Sequence, residues 1–194
     1  LVGARNASAG ACQFARQLAF ELSQMGLSVV SGLARGIDTA AHEGAVAAKG
    51  RTIAVIGSGL GRLYPPENKA LCEKIAAGHG AVVSEFPILT EPDKQTFPQR
   101  NRIVSGWSQG ILVVEAPAWS GALITANNAA EQALRADGAK NSQHMSKRGS
   151  CFSALVHLKP AGGCFTLTCS ARHRLAQKCH QQCHKLTTAK LPRG

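Results

Sequence analysis

Residues 27–57 read LSVVSGLARGIDTAAHEGAVAAKGRTIAVIG, and this stretch decides the fold. Leu27 to Ser31 is a short β-rich run. Thr52 to Ile56 is another, and it does not alternate apolar with polar side chains, as expected of a strand buried on both faces. Between the two, Gly32-Leu33-Ala34-Arg35-Gly36 turns the chain into an alanine-rich helix over Ile37 to Lys49 that stops before Gly50. Strand, helix and strand in this order form a parallel βαβ unit.

The pattern continues on either side. Leu1-Val2 is the end of a strand, and Gly3-Ala4-Arg5-Asn6 follows it as a loop. Ala11, Phe14, Ala15, Leu18, Ala19, Leu22 and Met25 recur every three or four residues, which predicts an amphipathic helix over 10–25. After Ile56 come a loop with Gly57, Gly59, Gly61 and Pro65-Pro66, a helix over 67–77 and a strand over 81–84. Pro98 suits a first helical turn, so 99–108 is read as helical. Ile111 to Val114 is a fifth buried strand, and Ser120 can cap a helix reaching about Leu134. The expected class is α/β, a doubly wound, Rossmann-like and mostly parallel sheet. Thr52 to Ile56 should lie away from its edge, and helices should cover both faces. The chain opens on a strand end, so the sheet is expected to be truncated at both ends.

Composition divides the chain. Of the 194 residues 44% are hydrophobic, enough for one α/β domain and incompatible with collagen-like, coiled-coil or wholly disordered readings. No apolar run reaches the roughly eighteen residues of a membrane span, and no leader pattern opens the chain, so the expected compartment is the cytoplasm and no membrane partner is expected. The net charge of +11 suggests nucleic acid until it is apportioned. Residues 1–133 hold 11 Lys and Arg against 10 Asp and Glu, whereas residues 134–194 hold 11 against Asp137 alone. Ile and Val number 18 before the boundary, and only Val156 follows it. Two parts are therefore expected: a Rossmann-like domain over 1–133 and an irregular, basic, Cys- and His-containing tail over 134–194. So abrupt a change in mid-domain is what translation out of frame near residue 134 produces, and a poorly ordered tail is the expectation. Within it, Cys151 to Leu158 and Phe165 to Cys169 are the best substitutes for a missing strand pair, joined by Lys159-Pro160-Ala161-Gly162-Gly163. An outer strand lost from the sheet would leave Ile111 to Val114 as an open edge, which favours association, so a homodimer stands among the expected partners.

Ligands of doubly wound sheets lie beyond the carboxyl ends of the strands. Gly3-Ala4-Arg5, Ser31-Gly32-Leu33-Ala34-Arg35-Gly36 and Gly57-Ser58-Gly59 all fall there, each before a helix N-terminus. Close backbone approach and exposed N–H groups favour a phosphate-bearing ligand. The dinucleotide fingerprint and the Walker loop are both absent, which disfavours NAD and ATP hydrolysis. Lys94, Phe97, Arg100, Asn101 and Arg102 combine cations with an aromatic ring, a set suited to single-stranded nucleic acid, with a base stacked on the ring. Arg100 and Arg102 cannot share one helix face, so at most one of them should face the ligand unless Arg100 lies in the first, irregular turn.

These segments also carry a resemblance. Residues 31–38 with Ala41-His42, the strand 52–57, Tyr64-Pro65-Pro66-Glu67-Asn68, Ser84-Glu85-Phe86-Pro87, Phe97-Pro98-Gln99-Arg100-Asn101-Arg102-Ile103, and Val114-Glu115-Ala116 with Ser120-Gly121 resemble the DNA-processing protein A (DprA/Smf) family, in order, over residues 1 to about 133. The resemblance implies a cytoplasmic protein that binds single-stranded DNA entering during natural transformation, protects it and helps load the RecA recombinase, without catalysis and without a cofactor. It places nucleic-acid contacts on Gly3 and Arg5, on Ser31, Gly32, Arg35 and Gly36, and on Arg100, Asn101 and Arg102. Arg5, Arg35 and Arg100 are the foremost candidates for phosphate.

The competing reading is a Rossmann-like hydrolase of nucleoside monophosphates. Asp38, Glu85 and Glu115 would be its carboxylates and His42 its acid or base. The plainer account of Asp38 and His42 is a helix-end carboxylate paired with an imidazole one turn on. In the tail, Cys164, Cys169, His173, Cys179, His180, Cys183 and His184 lack the spacing of a zinc site, and no metal is expected.

Overall fold

The computed structural model describes residues 1–117, 120–139, 152–158 and 165–170, with side chains placed up to residue 132. In chain order the elements are β1 (Val2–Gly3), α1 (Ala9–Gln24), β2 (Val29–Ser31), α2 (Ile37–Ala47), β3 (Thr52–Val55), α3 (Lys69–Lys74), β4 (Gly80–Val83), α4 (Thr96–Gly106), β5 (Gly110–Val114), α5 (Gly121–Ala139), β6 (Phe152–Leu158) and β7 (Phe165–Ser170). The fold is α/β with parallel pairing throughout except between β6 and β7.

The strands form two hydrogen-bonded ribbons, β2-β3-β4 and β1-β5-β6-β7, where one five-strand sheet was expected. They meet at Leu1, whose N donates to Val30 O at 3.0 Å and whose carbonyl accepts from Ser31 Oγ. β3 lies between β2 and β4 with Ala54 and Val55 fully buried, as its unbroken apolar run requires. The strand period of two then sorts side chains between two cores. Leu1 and Val29 pack with Leu18, Ala19, Ala41 and Ala45 of α1 and α2. Their neighbours Val2 and Val30 pack on the other face with Val104 of α4 and Ala122 and Ala129 of α5. The sheet is thus covered on both sides.

β5 is flanked by β1 and β6 and is not the open edge expected of it. β6 pairs parallel with β5, from Gly110 opposite Phe152 to Val114 opposite Val156, and β7 returns antiparallel along β6. The two segments expected to be the best substitutes for a strand pair are strands. α5 also runs past the expected Leu134 to Ala139. The rest of the tail, including every Cys and His proposed there for zinc except Cys169, lies outside the described residues.

Local chemistry explains the boundaries. Ser8 caps α1, its Oγ accepting from Ala11 N at 3.2 Å. α4 begins at Thr96, before the expected Gln99, because Thr96 Oγ1 bonds Gly57 O and Asp93 O and so draws the first turn against the β3 loop. Ser120 precedes α5, but its Oγ has no partner among the described residues. α1 and α2 approach most closely at Gly44, where any Cβ would collide with the carbonyl of Arg16. Gly44→Ala is accordingly expected to force the helices apart and cost about 1–3 kcal/mol, measured as a lowered urea midpoint. An unchanged midpoint would mean that the helices separate freely.

Candidate nucleic-acid interface

The loops leaving β1, β2 and β3 converge at one end of the sheet with the start of α4. Arg5, Gly32, Arg35, Phe97 and Arg100 line one pocket, together with Ala34, Tyr64 and Pro65. Candidates from two loops and from the start of α4 are thus brought together, at the end of the sheet the carboxyl-end rule names. Tyr64 was named only as part of a motif. Its signal was available, because it is the one tyrosine of the chain and closes the glycine-rich loop after β3.

Two cation and aromatic pairs form the wall. The Arg5 guanidinium carbon lies 4.7 Å from the Phe97 ring centroid, and that of Arg35 lies 5.7 Å from the Tyr64 centroid. The rings are 5.9 Å apart and tilted by 53°. Phe97 therefore carries a guanidinium on its face, where a stacked base was expected. Such stacking orients an arginine while leaving its N–H edge free for a ligand. Arg5 is exposed and makes no ion pair among the described residues, whereas Arg35 is paired with Glu67 across open surface. Exposed pairs of this kind hold weakly and yield to a competing anion.

Arg100 forms the floor and is 3% exposed. Its Nη1 donates to Val55 O, its Nε has no partner among the described residues, and its guanidinium lies close against Gly32, where a Cβ would collide with it. Burial pulls its pKa down to about 10, with Asp38 acting in the opposite sense, so it is still a cation at neutral pH. The buried Asp38 carboxyl is pushed up by desolvation and drawn back by Arg100. It accepts from Gly32 N at 3.0 Å. The Gly32 N–H is thereby turned inward, and Ile37 N at the start of α2 donates to Ala4 O at 3.3 Å. These two amides are therefore spent on protein acceptors, and the charge lining the pocket is that of the Arg5, Arg35 and Arg100 side chains.

The remaining candidates stand around or away from the pocket. Gly3 is pressed between Val114 and Ile37, Ser31 is buried on Leu1 O, and Gly36 takes φ 72° beside the carbonyls of Ala4 and Arg5. These three shape the loops. Lys94 is exposed and does not line the pocket, Asn101 Nδ2 donates to Gly121 O at 3.2 Å, and Arg102 turns outward to Glu85. Arg100 and Arg102 do point to different sides of α4.

The carboxylates considered for hydrolysis are engaged elsewhere. Asp38 holds the β2 loop, Glu85 holds Arg102, and Glu115 accepts from Ser8. None lines the pocket. His42 does not pair with Asp38; its Nδ1 lies 2.7 Å from Thr52 Oγ1, because the α2 face that carries it packs on β3.

Comparison with known proteins gives the family and the fold. A family model described as DNA recombination-mediator protein A matches residues 1–151, which passes the compositional boundary at 133. Protein Smf of Synechocystis is 42% identical over 157 residues, 81% of this chain and 39% of that protein. The DNA processing protein DprA of Bacillus subtilis is 46% identical over 132 residues, 68% of this chain and 44% of that protein. The X-ray structure of DNA processing protein A from Streptococcus pneumoniae superposes with TM-score 0.61 at 43% identity, covering 68% of this chain and 46% of that one. That of Helicobacter pylori, described for its single-stranded DNA binding mode, superposes with TM-score 0.62 at 32% identity over 67% of this chain and 59% of that one. The chain spans less than half the length of these curated relatives. No helix among the described residues is long and apolar enough to cross a membrane.

Proposed function

The chain belongs to the DNA recombination-mediator protein A family, and on that premise we propose that the pocket of Arg5, Arg35 and Arg100 takes backbone phosphates of single-stranded DNA without reading its bases. The carrying observation is a pocket with three guanidiniums and no carboxylate, two of them held on aromatic faces. Guanidinium forks match phosphate oxygens, and a flexible single strand can follow a small basic pocket that a duplex cannot enter. Gly32, Gly36, Gly3 and Ser31 set the loops, and Phe97 orients Arg5. Lys94, Asn101 and Arg102 would take part only through a longer path of the strand. The binding role is assigned to residues 1–133. By the same family membership, the proposed task of the whole protein is to process DNA entering the cytoplasm during natural transformation. The single-stranded DNA binding mode described for the Helicobacter pylori relative supports the DNA-binding part of this task. Protection of the incoming strand and loading of RecA recombinase, with a second copy of the chain as a further partner, complete the proposal. Binding rather than catalysis is favoured because Asp38, Glu85 and Glu115 are all committed to protein contacts.

Binding of a labelled oligo-dT should weaken linearly on a log–log plot as salt rises, by about 0.7 per phosphate contact. Arg5→Ala and Arg35→Ala should each weaken binding by about tenfold or more, the worth of a charge-assisted hydrogen bond, and flatten the slope by one contact. Parent-like binding by both variants at every salt concentration would remove the site.

A further inference from the structure

Glu115 ends β5 with φ 48°, a left-handed conformation that a glutamate adopts only under constraint. What it touches supplies the constraint. Its carbonyl accepts from Ala4 N at 2.7 Å. Its Oε1 accepts from Ser8 N at 2.8 Å, and its Oε2 accepts from Ser8 Oγ at 2.5 Å. One residue therefore ties both ends of the loop that displays Arg5, with only Arg5, Asn6 and Ala7 between the two anchors. A loop of this length with free ends would let the Arg5 backbone rotate and lift its guanidinium from Phe97.

We propose that Glu115 is a positioning residue for DNA binding, holding the Arg5 loop at both ends so that the Arg5 guanidinium meets a phosphate already oriented. This rests on the reading of the pocket given above. Glu115 itself does not line the pocket and touches no ligand. Its effect must pass through Arg5, which makes it separable from a general contribution to the fold. Ordering the loop in advance removes the entropy that binding would otherwise have to supply.

Glycine is at ease at φ 48°, so Glu115→Gly removes the carboxylate while relaxing the backbone that carries it. Its thermal midpoint should be no lower than the parent's by more than the loss of the Ser8 contacts, and its far-ultraviolet spectrum should be unchanged. Binding of labelled oligo-dT should nevertheless weaken about as much as in Arg5→Ala, with the same flattening of the salt slope. In the Arg5→Ala background Glu115→Gly should have no further effect, since the residue it positions is gone. Glu115→Gln keeps an oxygen for Ser8 N–H and should retain most of the affinity. Several results would overturn the proposal: Glu115→Gly binding like the parent, binding more tightly because the carboxylate merely competes with phosphate, or adding its full effect to that of Arg5→Ala. Parent-like binding by Arg5→Ala would overturn the site and this role together, whereas a weak Arg5→Ala beside a parent-like Glu115→Gly overturns this role alone. If Glu115→Gly does not fold, the same comparison with Glu115→Asp, whose shorter side chain cannot span to Ser8, decides the matter.

Discussion

Arg100→Ala should lose about 1–3 kcal/mol of folding stability, the cost of leaving a buried polar group without its hydrogen-bond partner. Arg100 is 3% exposed and its guanidinium donates to Val55 O at the carboxyl end of β3. Without it, that buried carbonyl loses the guanidinium donor. Asp38, 6% exposed, then keeps the cost of its desolvation while the cation that offsets it is gone. Urea unfolding at neutral pH measures the loss. Asp38→Asn in the same chain should recover part of it, because the amide oxygen can still accept from Gly32 N and carries no charge to be compensated. A loss below about 1 kcal/mol, or strict additivity of the two substitutions, would show that the two groups are independently solvated.

Acid should destabilise the protein through His42. The ring is fully buried. Thr52 Oγ1 donates to Val29 O at 2.8 Å, so at 2.7 Å it must accept from the Nδ1–H of His42, which leaves the Nε2 lone pair without a partner among the described residues. Protonation at Nε2 would place an unsatisfied N–H and a charge in the core, and burial accordingly holds the pKa at about 3 against an ordinary 6.5. Between those values the unfolded chain binds a proton that the folded chain refuses. The His42 contribution is therefore complete above pH 6.5 and declines as pH falls toward 3, at about 1.4 kcal/mol per pH unit once the unfolded imidazole is protonated. Asp38 acts oppositely above its ordinary 3.8, since burial raises its pKa and the folded chain takes up that proton first. His42→Gln separates the two, because glutamine keeps an N–H for Thr52 and does not titrate. Its stability should fall less steeply than the parent's from about pH 6 to about pH 4. Parallel curves would mean that the imidazole is protonated in the folded protein.

Most of the framework was legible because it depends on local rules. The unbroken run Thr52 to Ile56 required burial on both faces, and the structure places β3 between β2 and β4. Glycine-rich turns after successive parallel strands had to gather at one end, which brought Arg5 and Arg35 together, and α4 adds Arg100 to them. Partner choice within the cluster was not legible, because it depends on distances between loops. Nothing local says that the face of Phe97 is taken by Arg5, that Asn101 is spent on Gly121, or that Asp38 turns to Gly32 and leaves His42 to Thr52. The tail shows the same division. Its two short apolar runs could be named as a strand pair, but their register against β5 follows from an edge that only the assembled sheet defines.

The seam at Leu1 gives the pocket a mechanical meaning. One ribbon supplies Arg5 from the end of β1, while the other supplies Arg35 after β2 and Tyr64 after β3. Between β1 and β2 the backbone is joined by Leu1 N to Val30 O, with the Ser31 hydroxyl beside it, whereas β2 and β3 share three aligned residue pairs. A polyanion bridging Arg5 and Arg35 would act as a clasp between the two ribbons. Thermodynamic linkage then turns occupancy into cohesion, growing with the logarithm of ligand concentration once the site is filled.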